Sequence, residues 1–149
     1  MIGIVVTGHG HFATGLASSV KLIAGVPENF VPVDFEEGDS SEDLAKKLTD
    51  AFDSLSNCED GILVFTDLVG GSPFKISAEL SVTQKDKYHL AILSGSNLGM
   101  VIEANMSRQF ITDLNQLADS TVETGKDQVI HYVYSESKND EPADDEDGI

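Results

Sequence analysis

Four short apolar runs, each followed by a segment with helical spacing, constrain this chain more than any other feature of its sequence. The runs are residues 2–6, 30–35, 61–65 and 88–93. Runs of this length, bounded by glycine and polar turns, read as strands. Between them Leu16, Val20 and Ile23, and then Leu44, Leu48, Ala51, Phe52 and Leu55, recur at the spacing of one helix face. Strands that alternate with helices predict an α/β fold: a doubly wound, mainly parallel sheet with helices on both faces. The run Gly-Ile-Leu-Val-Phe at 61–65 has no polar alternation, as expected of a strand covered on both sides.

Turn and cap residues punctuate this pattern. Gly25 and Pro27 end the helix predicted over 13–24, and Ser40 or Ser41 caps the next. Gly70-Gly71 is followed by Ser72 as the expected cap and by Pro73 in the first turn of a helix that runs to about residue 80 or 82. The turn at 94–97 caps a helix over 98–106, and a further helix over 113–124 stops at Gly125. Residues 129–134 alternate as a last strand, either at an edge or paired with a second copy of the chain.

At 149 residues the chain fits one folded domain. That domain is expected over 1–134, with a tail over 135–149 that carries Glu136, Asp140, Glu141, Asp144, Asp145, Glu146 and Asp147 against Lys138. Such a composition buries no core, so the tail is expected to be disordered. The formal net charge of -17 argues against nucleic acid as a partner, because phosphates need cations to neutralise them. Cys58 is the one cysteine, and no leader precedes Ile2, so the expected location is the cytoplasm. No apolar run approaches the length of a membrane span.

The chemistry concentrates where the first and third strands end. His9 lies between Gly8 and Gly10, and Asp67 follows the third strand just before Gly70, Gly71 and Ser72. In a parallel sheet both positions fall at the carboxyl edge, where ligands bind. Singly, they read as an ordinary loop histidine and turn acid. Paired, the carboxylate holds one imidazole nitrogen as its protonated tautomer and leaves the other nitrogen's lone pair as a nucleophile. Amides around Gly70, Gly71 and Ser72, at a helix N-terminus, suit a phosphate. Neither glycine turn matches a Walker or dinucleotide fingerprint. His9 and His11 with Asp67 make a poor metal set, because two residues apart in a turn is unsuitable spacing, and no metal is expected.

Together, Gly8-His9-Gly10, Asp67-x-x-Gly70-Gly71-Ser72-Pro73-Phe74, Asn97-x-x-Met100-x-x-Glu103 and Gly125-Lys126-Asp127 resemble the mannose-family IIA domains of the bacterial phosphoenolpyruvate-dependent sugar phosphotransferase system. The resemblance spans residues 1–134. Lys75 and Gly99 depart from it, standing where the family often has asparagine and proline.

The resemblance implies a phosphotransferase with a phosphohistidine intermediate and no cofactor, its phosphoryl group coming ultimately from phosphoenolpyruvate. His9 would accept that group from the phosphocarrier HPr and pass it to a IIB domain, which phosphorylates sugar entering through membrane IIC and IID components. Asp67 would orient Nδ1 of His9, with Gly10, Gly70, Gly71 and Ser72 near the phosphoryl group. A homodimer exchanging the last strand is also implied. The alternatives are a IIA-like phosphocarrier subunit of a dihydroxyacetone kinase and a non-catalytic anion-binding module.

Overall fold

The computed structural model describes residues 1–136. Nine elements follow one another: β1 (Gly3–His9), α1 (Phe12–Ala24), β2 (Phe30–Phe35), α2 (Ser41–Ser54), β3 (Ile62–Thr66), α3 (Ser72–Thr83), β4 (Leu90–Leu93), α4 (Leu98–Ser107) and α5 (Leu114–Asp127). The strands form one parallel sheet in the order β2-β1-β3-β4. From β1 the chain first steps outward to β2, then returns across β1 to β3 and β4. The direction of winding therefore reverses between β1 and β3, which opens a crevice at their carboxyl ends.

The strand period of two sorts the core into two layers. Ile4 and Val6 of β1, with Leu63 and Phe65 of β3, point to a layer built by α1, α4 and α5. Val5, Ile62 and Val64 point the other way, onto Leu44, Leu48 and Phe52 of α2 and onto α3. Every residue of β3 is buried, which explains its unbroken apolar sequence. Ser40, not Ser41, caps α2: its hydroxyl accepts from the Asp43 amide at 3.0 Å while the Asp43 carboxylate accepts from the Ser40 amide at 2.9 Å.

Four expectations are corrected. The third helix is capped by Gly71, so Ser72 is its first residue and makes no cap bond. Gly125 lies inside α5 instead of ending it, because its lack of a side chain admits Met100 of α4; a β-carbon there would come within 2.7 Å of the sulfur. Tyr88 and His89 precede β4, which begins at Leu90: the Tyr88 amide is held by the Gln84 carbonyl and its hydroxyl by Asp53. Residues 129–134 form no strand within this chain. A strand needs a ladder partner, and Val129, Ile130, Tyr132, Val133 and Tyr134 instead stand exposed, none below 64%. The expected tail lies outside the described residues beyond Glu136.

Arg108 is only 2% exposed. Its guanidinium donates to the carbonyls of Ile2 at 3.0 Å and Asn29 at 3.1 Å, to that of Glu28, and to Asn105 Oδ1 at 2.7 Å. Burial lowers its pKa from the ordinary value, yet the carbonyl dipoles give the charge a solvation shell. Arg108→Met, which keeps the apolar stem and removes the donors, should reduce unfolding free energy by about 2 kcal/mol in urea titration. A loss well under about 1 kcal/mol, the net value of a typical hydrogen bond, would show that the carbonyls find other partners.

Candidate functional site

β1 delivers His9 to the sheet's carboxyl edge as its last residue, and the chain leaves β3 directly into Asp67. Since β1 and β3 are paired neighbours, the two residues meet. The Asp67 Oδ2 oxygen accepts from the His9 amide at 2.9 Å and lies 2.7 Å from His9 Nδ1. Its other oxygen accepts from the Leu68 amide at 2.8 Å. Asp67 is well covered at 11% side-chain exposure, whereas the His9 side chain is 47% exposed.

Burial pushes the Asp67 pKa up, but the hydrogen bonds from the His9 amide, the His9 ring and the Leu68 amide outweigh it and hold the carboxyl below its ordinary value. Asp67 is therefore an anion and only an acceptor. The proton in the short bond must belong to Nδ1, and the lone pair of the imidazole is left at Nε2. A half-exposed imidazole fixed in this tautomer can act as a nucleophile toward a group brought from outside.

The glycines serve this geometry in different ways. Gly10 and Gly70 have φ of +58° and +83°, values that favour glycine, and each turns the chain away beside a site residue. Gly71 has φ of -73°, open to any residue, but a β-carbon there would stand 2.8 Å from His9 Cε1. It is glycine for clearance. Beyond it, α3 begins with Ser72, and because Pro73 lacks an N–H, the amides of Ser72 and Phe74 are the first-turn donors without helical partners.

Two residues at this sheet edge carry no signal in the sequence alone. Phe35 ends β2 opposite His9 in register, and its ring stands edge-on to the imidazole with centroids 5.8 Å apart. Asp34 accepts from the Thr14 amide at 3.0 Å and the Thr14 hydroxyl at 2.7 Å, and lies 3.3 Å from His11 Nδ1. It thereby caps α1 from a neighbouring strand. A common sheet edge was the one signal available for either residue, and it requires the strand order.

The structure separates the two histidines, since His9 faces Asp67 and His11 faces Asp34. His11, Asp34 and Glu36 do place ligand atoms within 4.8 Å of one another. Asp34 is already engaged by Thr14, and Glu36 by Lys47 at 3.2 Å, so the cluster is accounted for as a cap and an ion pair. Lys75 is exposed on α3, and Gly99 lies under the Gln128 side chain, which occupies the space of a β-carbon. Asn97 caps α4 through the Met100 amide and donates to the Gly125 carbonyl at 3.0 Å.

Residues 3–122 match the model of the EIIA-man family, described as the PTS system fructose IIA component. Among curated proteins the chain is similar to the mannose-specific EIIAB component of Escherichia coli K12, with 32% identity over 86% of this chain and 38% of that protein. It thus spans little more than a third of that relative. The sorbose-specific EIIA component of Lacticaseibacillus casei is 31% identical over 67% of this chain and 69% of its own length. Among solved structures, EIIA from Streptococcus agalactiae superposes with a TM-score of 0.80 at 37% identity, covering 88% of this chain and 97% of that one.

Because the folded pKa of Asp67 lies below the ordinary 3.8, its bonds to His9 and Leu68 stabilise the fold fully above that value and are lost as pH falls through the folded one. Urea unfolding of the native chain and Asp67→Asn across a pH series should show a gap at neutral pH that closes on acidification below 3.8. A gap that widens toward acid would contradict the ionised carboxylate.

Proposed function

Because the chain belongs to the mannose-type IIA family of the sugar phosphotransferase system, we propose that it is a phosphocarrier that accepts a phosphoryl group from phospho-HPr on His9 and passes it to a IIB domain. The observation that carries this reading is the half-exposed His9 ring, its Nδ1 2.7 Å from the Asp67 carboxylate. Nε2 attacks phosphorus as the bond from phosphorus to the donor's histidine nitrogen breaks, and the donor nitrogen keeps that electron pair. The proton on Nδ1 remains in its bond to Asp67, which offsets the positive charge developing on the ring.

Such transfer needs positioning and donors for the equatorial oxygens more than covalent machinery. The amides of Ser72 and Phe74, with the positive end of the α3 dipole, supply donors, and Gly10, Gly70 and Gly71 leave room for the group. The acidic chain complements a basic face on the donor and speeds encounter. We place the protein in the cytoplasm, serving membrane IIC and IID components through IIB. Among the described residues no helix is long and apolar enough to cross a membrane. The sugar is chosen by those other components; mannose and sorbose are the substrates in the names of two relatives.

We further propose a homodimer in which residues 129–134 of each copy add to the sheet of the other. The support is their apolar character and their exposure in the single chain. β2 and β4 are the two edges of the sheet that could receive them.

Incubation with phosphoenolpyruvate, the first enzyme of the system and HPr should load one acid-labile phosphate, and His9→Gln should load none. Asp67→Ala should slow loading by about tenfold or more through loss of the tautomer. An anion-binding module would take up no phosphate, and transfer onward to a dihydroxyacetone kinase instead of a IIB domain would assign the chain to that system. Truncation after Gln128 should convert a dimer into a monomer in sedimentation equilibrium; a truncated chain that stays dimeric would remove the exchanged strand.

A further inference from the structure

We infer that Phe35 and Gly71 form a slot that sets the rotation of the His9 imidazole, which makes Phe35 a positioning residue for chemistry at Nε2. This rests on the phosphocarrier reading only for its consequence, since the slot itself is geometry. A hydrogen bond at Nδ1 restrains one atom of a planar ring. The ring can still pivot about that bond and sweep Nε2 through an arc. In-line attack requires the lone pair to point at phosphorus, so that freedom has to be removed before a donor docks.

Contacts from both neighbouring strands remove it. β1 lies between β2 and β3, so the end of β2 and the loop after β3 flank His9 from opposite sides. From the β2 side comes Phe35, with the two ring planes at 65° and centroids 5.8 Å apart. Its position is tied to the loop after His9, because the Gly10 amide donates to the Phe35 carbonyl at 2.8 Å. On the β3 side stands Gly71, which has no side chain; a β-carbon added there would lie 2.8 Å from Cε1 and 3.6 Å from Nε2, so a larger residue would push the ring from its place. Cε1 is the atom between the two nitrogens, so glycine at 71 lets the ring keep the rotation in which Phe35 meets it edge-on. Asp67 thus selects the tautomer, while Phe35 and Gly71 select the orientation.

The slot separates two roles that a single variant at Asp67 would merge. Phe35→Leu keeps an apolar side chain and removes the ring, and Phe35→Tyr keeps the ring. Gly71→Ala changes only the contact with His9, because alanine adopts φ of -73° and ψ of 164° freely. Two measurements apply to each variant: the loading rate from phospho-HPr, and the imidazole 15N signals of His9 in the unphosphorylated full-length chain. Thermal unfolding checks each fold.

Phe35→Leu and Gly71→Ala should each slow loading by about tenfold or more, given that small misplacements of reacting atoms cost up to about a hundredfold. In both, the Nδ1–H tautomer set by Asp67 should persist while the 15N signals shift and broaden as the ring samples further orientations, and Phe35→Tyr should stay close to native in rate and signals. Native 15N signals in Phe35→Leu would overturn the slot, whether or not loading slows, because a slowed rate with an undisturbed ring locates the effect in partner docking. If Phe35→Leu does not fold, Phe35→Met, which also removes the ring and keeps an apolar side chain, decides by the same criterion. Should the native chain load no phosphate, the phosphocarrier reading falls, and the 15N signals still report on the slot.

Discussion

One carboxylate oxygen of Asp67 accepts two hydrogen bonds from one residue, from the backbone amide and the ring nitrogen of His9. This double contact ties the ends of the two central strands together at the point where the winding of the sheet reverses. The same atom therefore finishes the β1–β3 edge and prepares the imidazole. Elsewhere in the fold, structure and chemistry use different residues. Here they cannot be separated, and the burial of Asp67 beneath a half-exposed histidine follows from that arrangement.

Periodicity made the architecture readable. The four strands of the sheet and the helix stripes packed on it sit close to where spacing alone put them, because a parallel sheet covered on both faces imposes apolar runs that few other folds require. The His9 and Asp67 pair was readable for a related reason: in this topology the ends of the first and third strands must be neighbours. The family resemblance added specificity that spacing could not supply.

What was not readable depended on tertiary contacts. Arg108 looks like any surface arginine until the carbonyls of Ile2, Glu28 and Asn29 converge on it. Gly125 looks like a helix stop, because local propensity cannot show that a sulfur from α4 occupies the space of its missing side chain. Ser72 looks like a cap, while Gly71 takes that place under the His9 ring. Residues 129–134 have the alternation of a strand but no ladder within the chain, so the pattern alone did not make one.

The Arg108 clasp also bears on how the molecule is made. Its bond to the Ile2 carbonyl joins residues 106 positions apart, and β1 finds its inner neighbour only once β3 exists. During synthesis the amino end of the sheet stays unsecured until most of the polypeptide has left the ribosome, so consolidation waits on late-emerging sequence instead of proceeding from the first strand onward. A nascent chain stalled before the fourth helix would present its central strand without the latch that closes its base.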